Sequence, residues 1–262
     1  MGKVSSRETL LLNELRMRGS ISVAEAVELL GISEATARRT FAQLEKESKA
    51  IRSYGGIQMP VSLDDYSFER YSKVHAVEKH RIGVAAAALV ESGDSIYLDC
   101  GTTVLKMAES LRERIDAGET GSLNIVTNSI ANLNVLGSAR GCRVILLGGE
   151  YNYERRDFSG AITEKCLNMF HFKKCFLGCE GWNLNSGFST NHLGLSSLNG
   201  RVIENSDQRF VLMDTSKFGS EALISYTESS EVNAIVTDTR PGDDIWEALE
   251  ATGMNVILAS MD

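Results

Sequence analysis

A chain of 262 residues, 43% of them hydrophobic, can bury a sizeable core and divides into one large domain or two unequal ones. Its formal net charge of −8 excludes a protein that coats nucleic acid along its whole length, and no apolar run approaches the roughly 18 residues of a membrane span. The charge is uneven: residues 1–59 hold nine basic and seven acidic side chains, a net of +2, which leaves −10 on the remainder. A mildly basic head on an acidic body fits a protein that touches phosphates with one small domain. The five cysteines (Cys100, Cys142, Cys166, Cys175, Cys179) have neither paired CxxC spacing nor a nearby histidine cluster, so no metal site, disulfide framework or cofactor is expected. The first twenty residues mix Arg, Glu and Asn too freely for a signal peptide, and a cytoplasmic location is expected.

In the head, Ser5 precedes Arg7 and Glu8 and a leucine-rich run, Leu10, Leu11, Leu12 and Leu15, that stops at Gly19. Ser22 with Glu25 forms a capping box ahead of Val23, Ala26, Val27, Leu29 and Leu30, and Gly31 permits a sharp turn. Ser33 then caps a third helix to about Glu47, with Ala37, Phe41 and Leu44 on one face. The second and third helices make a helix-turn-helix whose outward face presents Glu34, Thr36, Arg38, Arg39 and Gln43. Arg can bridge guanine O6 and N7, and Gln can do the same for adenine. Ile51 to Ile57 alternates around Gly55-Gly56 as a β-wing does, with Arg52 and Tyr54 available for the phosphate backbone. The DNA-contacting set is therefore Ser33, Glu34, Thr36, Arg38, Arg39, Gln43, Arg52 and Tyr54.

The stretch from Ser33 through Phe41, followed by Tyr54-Gly55-Gly56, resembles the winged helix-turn-helix of the DeoR family of bacterial sugar-metabolism regulators, over residues 5–57. The family usually has Asp-Leu where this chain has Thr40-Phe41, and a glycine near Ser48, so the operator is expected to differ. Residues 58–73, which include Pro60, read as a connector, and 74–262 as the second domain.

An alanine-rich helical run from Val77 to Leu89 leads into the strand Ser95–Leu98. Strand-like runs follow at Asn124–Val126, Arg143–Leu147, Cys175–Leu177, Arg209–Met213, Ala234–Thr237 and Asn255–Leu258, alternating with helical segments. This is the pattern of an α/β domain with a mainly parallel sheet, in which ligands bind beyond the carboxyl ends of the strands. Those ends are polar and glycine-rich: Asp99 to Thr103, Thr127 to Ser129, Gly148 to Glu150, Gly178 to Gly181 and Asp214 to Lys217. Five such loops on one rim suit a small anionic ligand. The Asp99-Cys100-Gly101-Thr102-Thr103 loop offers backbone amides at a helix start, and Lys217 offers a point charge. Arg155-Arg156 reads as mostly solvent-exposed.

These loops resemble the DeoR-type sensor domain, whose fold is similar to ribose-5-phosphate isomerase, from about Glu78 to Asp238. The resemblance implies recognition of a phosphorylated sugar by Asp99, Gly101, Thr102, Thr103, Asn128, Ser129, Gly149, Glu180 and Lys217. Where the family often has acidic residues, this chain has His192-Leu193-Gly194-Leu195. The function expected is a sugar-operon regulator, most simply a repressor, acting on double-stranded operator DNA as a homo-oligomer, dimer or tetramer. The alternative is a sugar-phosphate isomerase with an appended DNA-binding module, for which Glu180 and Lys217 would supply an acid–base pair. Gly178-Cys179-Glu180-Gly181 keeps one carboxylate where the isomerase motif has two, which disfavours catalysis.

Overall fold

The computed structural model describes residues 8, 10–12, 14, 15, 20–47, 49–53, 55–58 and 66–259. The chain forms two compact units, residues 1–74 and 75–262, each considered by itself.

In the first unit, Glu8, Leu10–Leu12, Glu14 and Leu15 are helical, while the expected cap at Ser5 and stop at Gly19 lie outside the described residues. Helix Val23–Leu30 carries the reciprocal Ser22–Glu25 capping box, with the Glu25 amide donating to Ser22 Oγ at 3.2 Å and the Ser22 amide to Glu25 Oε2 at 2.8 Å. Gly31 ends it at φ +60°, and Ser33 caps the helix Glu34–Lys46. Ala37, Phe41 and Leu44 of that helix are buried with Leu11, Leu15, Ile21 and Ile57. The wing is present as β2 (Ile51–Ser53) and β3 (Gly56–Gln58), but a third strand, β1 (Ser20–Ser22), lies on β3. It was not legible because three residues carry no periodicity. Gly56 answers to it: a Cβ there would stand 2.6 Å from the Ile21 carbonyl oxygen. The segment read as a connector also holds a helix, Phe68–Lys73, capped by Ser67.

The second unit is organised by a seven-stranded parallel sheet in the order β15-β14-β12-β9-β4-β5-β6. These strands are β4 (Ser95–Leu98), β5 (Leu123–Thr127), β6 (Cys142–Leu146), β9 (Phe172–Gly178), β12 (Ser206–Leu212), β14 (Ala234–Thr237) and β15 (Asn255–Leu258). Both faces are buried, as a parallel sheet requires. Ile96, Leu98, Ile125, Phe176 and Leu212 point into one core with helices Ala76–Ala88 and Thr102–Asp116. Tyr97, Val126, Cys175, Leu177 and Val211 point into another with helices Ala161–Leu167 and Leu193–Glu204. The register aligns Leu98 with Phe176 and Thr127, and Gly178 with Leu212, so β4 and β5 end level with each other and β9 and β12 end together two residues further on, at the same carboxyl edge of the sheet. Two additions were not expected from sequence: the hairpin β7 (Glu150–Asn152) with β8 (Asp157–Ser159), and the antiparallel sheet of β10 (Gly181–Asn183), β11 (Gly187–Thr190) and β13 (Ile224–Thr227).

Candidate functional sites: a helix-turn-helix face and the carboxyl rim of the sheet

On the head, Glu34, Arg38, Arg39 and Gln43 stand exposed on one side of helix Glu34–Lys46, and Thr36 is half-buried. Capping occupies Ser33 and Thr36, whose hydroxyls share a hydrogen bond of 2.8 Å. Arg38 pairs with Glu34 at 2.6 Å, and Gln43 donates to Glu47. Arg39 has no ion pair among the described residues, which leaves its guanidinium ready for a base edge or a phosphate. Arg52 of the wing pairs with Glu45 at 2.7 Å and so braces β2 against this helix. A phosphate contact by Arg52 must compete with that exposed pair, worth up to about 1 kcal/mol. Tyr54 lies outside the described residues.

At the rim, the loop after β4 does what its sequence implied in one respect and not in another. Helix Thr102–Asp116 starts at Gly101 with no side-chain cap, so first-turn amides are held open beside two nearly buried threonines. Gly101, however, has φ −61°, a conformation open to any residue, so no positive-φ strain enters the argument. A Cβ there would stand at ordinary van der Waals distance from Asp99 Oδ2, 3.6 Å, and Gly178 Cα, 3.7 Å, so a methyl group fits and a bulkier side chain would fill the space above them. Gly101 at the helix start and Gly178 at the end of β9 thus make a bare floor.

Asp99 is buried beneath this floor. Its Oδ2 accepts the Gly178 amide at 3.0 Å, and burial raises its pKa against the Gly178 and Cys100 amides. It therefore holds β4 and β9 together instead of standing in solvent. Asn128 and Ser129, expected at the ligand, do structural work. Asn128 is fully buried, accepting from the Tyr97 hydroxyl at 3.1 Å and donating to the Phe158 carbonyl at 3.0 Å. Ser129 caps helix Ile130–Leu136 through the Asn132 amide. Gly149 is a close-approach glycine, since a Cβ would collide with Thr163 Oγ1 at 2.0 Å. Polar residues at strand ends satisfy neighbouring loops as readily as ligands, and sequence cannot separate the two uses.

Two residues outside the expected ligand set, Lys79 and Asp214, join Lys217. Lys79, on helix Ala76–Ala88, is only 4% exposed, and burial pulls its amine down to about 8 while Asp214 opposes and Lys217 adds to the fall. Asp214, which caps the turn Thr215–Lys217, is also buried. The effect of burial on its carboxyl is outweighed by Lys217, then by His75, Ser216 and Lys79, so its pKa is lowered. Lys79 did leave a signal: it shares the inward face of an apolar helix with Ile82, Gly83 and Ala86. Gly83 lets that helix lie directly on the backbone at Lys106, where a Cβ would come within 2.5 Å.

A second polar cluster lies along the same rim. Arg155, read from sequence as surface, is buried: the turn between β7 and β8 folds its side chain inward. Its Nε donates to Asp157 Oδ2 at 3.2 Å and its Nη1 to Glu180 Oε1 at 3.4 Å. The Cys100 thiol donates to Asp157 Oδ2 at 3.0 Å, and burial with the nearby Asp157 and Asp99 drives its pKa far up, so it is no nucleophile. Glu180 also accepts from the amide and side chain of Asn191, and His192 Nε2 stands 3.9 Å from its Oε1. Among the described residues there is no group of three or more His, Cys, Asp and Glu that could hold a metal ion, and no helix is long and apolar enough to cross a membrane.

Residues 7–62 match the DeoR-like helix-turn-helix domain, and residues 74–239 match the DeoR C terminal sensor domain. The putative aga operon transcriptional repressor of Escherichia coli O157:H7 is 30% identical over 257 residues, covering 97% of this chain and 93% of that protein. The lactose phosphotransferase system repressor of Streptococcus mutans is 34% identical over 245 residues, covering 90% and 92%. Among solved structures, ribose 5-phosphate isomerase A from Methanocaldococcus jannaschii covers 55% of each chain at 18% identity with a TM-score of 0.41. With a DeoR-type helix-turn-helix at one end and a DeoR-type sensor domain over more than half its length, this chain belongs to the DeoR family of transcriptional regulators.

Proposed function

We propose that the protein is a repressor of a sugar-metabolism operon, released from its operator by a phosphorylated sugar bound at the carboxyl rim of the second unit. The observation that carries the reading is the uncapped helix start after Gly101, set on a glycine floor on the rim that also carries the amines of Lys79 and Lys217. Open amides and two cations suit a phosphate, which accepts several hydrogen bonds and carries charge that an amine can match. Asp214 keeps the two lysines from repelling each other when no ligand is bound. The relatives named as operon and phosphotransferase-system repressors support the operon assignment by analogy of sequence.

The Glu180 carboxylate is held by Arg155 and Asn191, an engagement ill-suited to a proton-shuttling base, which favours a sensor over an isomerase. A cytoplasmic homo-oligomer fits a reader of paired half-sites.

The test has two arms. Duplexes selected from a random library against the full chain are labelled and titrated by fluorescence anisotropy. The same complexes are then challenged with sugar phosphates, while thermal shifts record binding. A true effector at a hundred times its Kd stabilises by roughly 2.7 kcal/mol and releases the DNA. Stabilisation without release would leave a binding protein that is not a sugar-responsive repressor.

A further inference from the structure

If the phosphate sits on the amides after Gly101, the rest of the ligand must extend along the rim, where Gly178 leads within two residues to Glu180 and Cys100 directly precedes Gly101. The cluster there is graded in exposure. Arg155 and Asp157 have side chains 8% and 1% exposed, whereas Glu180 and His192 keep 25% and 19%. The last two are therefore the atoms a ligand can touch, and the first two set their charge. One guanidinium lies between two carboxylates, Asp157 and Glu180, a formal sum of −1, so its positive charge is already matched. Burial and the nearby Arg155 lower the pKa of His192, which keeps the imidazole neutral at pH 7. An anionic group arriving here meets carboxylates and a committed cation. A hydroxyl meets good acceptors and an imidazole that can donate or accept.

We infer that Glu180 and His192 read the end of the effector opposite its phosphate, and that they select a sugar monophosphate whose other end bears only hydroxyls over the matching sugar acid or bisphosphate. Arg155 and Asn191 are positioning residues that hold the Glu180 carboxylate in place. The inference rests on the phosphate reading above and narrows it to a ligand class. Selectivity of this kind depends as much on repulsion of the wrong ligand as on attraction of the right one.

The experiment measures Kd on the full-length protein by calorimetry with six probes: inorganic phosphate, ribose 5-phosphate, glucose 6-phosphate, fructose 6-phosphate, 6-phosphogluconate and fructose 1,6-bisphosphate. At least one neutral monophosphate is expected to bind roughly tenfold or more tightly than the acid, the bisphosphate and inorganic phosphate. Glu180→Gln, which keeps an oxygen for Asn191, is expected to shrink the neutral-to-acid ratio by roughly tenfold. His192→Lys, on the more exposed edge, should shift the preference in the same direction without disturbing the buried Arg155–Asp157 pair. Equal affinity for neutral and acidic probes, or unchanged ratios in both variants, overturns the selectivity while leaving the phosphate seat standing. No neutral monophosphate exceeding inorganic phosphate overturns it too, because nothing then reads the sugar. If inorganic phosphate and every sugar phosphate alike fail to bind, the phosphate seat itself falls.

Discussion

Two helix starts in this chain are built in opposite ways. Helix Glu34–Lys46 satisfies its own amides, with Ser33 Oγ accepting from Thr36, and it offers solvent a side-chain face for DNA. Helix Thr102–Asp116 begins at a glycine, receives no cap, and offers its backbone instead. The difference separates two kinds of recognition. A base-reading helix must be a stable rod that projects side chains, whereas a phosphate seat must leave donors unsatisfied until the ligand supplies acceptors.

The largest effect expected from breaking this contrast is at the glycine floor. Gly101→Val accepts the backbone at φ −61° and so folds, but its methyl groups fill the gap facing Asp99 and Gly178. Effector affinity should fall by roughly a hundredfold or more, equivalent to at least about 2.7 kcal/mol, while operator affinity stays at the parental value. Anisotropy titrations in the presence of sugar phosphate check both. Release at the parent's ligand concentration would reduce the loop to a structural turn.

Next in size is the side-chain face of the head. Arg39→Ala should cost about 1–3 kcal/mol of operator affinity and relax base choice. Arg52→Ala should weaken all sequences alike and reduce the salt slope by about 1, less Arg52's attachment to Glu45. Competition with mismatched duplexes over a salt series distinguishes the two.

Lys79 sharpens the other side. Its amine titrates near 8, below the unfolded value of about 10.4, so the folded chain holds fewer protons between those values and its stability rises with pH there. Lys79→Met should therefore raise the thermal midpoint at pH 7, and this advantage should fade between about pH 8 and 10.4. Effector affinity of the parent should decline as pH rises through about 8, with proton uptake on binding seen by calorimetry in buffers of different ionisation enthalpy. A pH-independent difference between parent and variant would contradict the buried, ligand-facing amine.

Smaller still are the caps themselves. Ser33→Ala should destabilise the head by about 1 kcal/mol, whereas Gly101→Ser, by supplying the absent cap, should leave the free protein no less stable and weaken effector binding severalfold. Thermal melts with and without ligand measure both. At the foot of the scale is an effect expected to be nil: incubation with sugar phosphates in heavy water should give no protein-dependent deuterium at the exchanging carbon. Incorporation abolished by Glu180→Gln would make the protein an isomerase.

Sequence alone determined the parts whose physics is local or strictly periodic. Three-residue capping spacings at Ser22 and Ser33, the turn at Gly31 and the seven apolar strands, five of them ending in polar loops, all follow from hydrogen bonds and burial patterns within a few residues. Tertiary structure decided where polar side chains finally point. Asn128 and Asp99 occupy ligand-like positions in the sequence, but Asn128 is engaged by Tyr97 and Phe158, and one carboxylate oxygen of Asp99 by the Gly178 amide. Arg155 sits in a charged turn that reads as surface, yet it is drawn inward because Asp157, two residues on, and Glu180, 25 residues on, together repay its desolvation. Lys79 becomes a candidate ligand group only because Gly83 lets its helix settle onto the neighbouring backbone. A buried charge is settled by partners distant in the chain, and no local pattern announces which of the available strand ends will provide them.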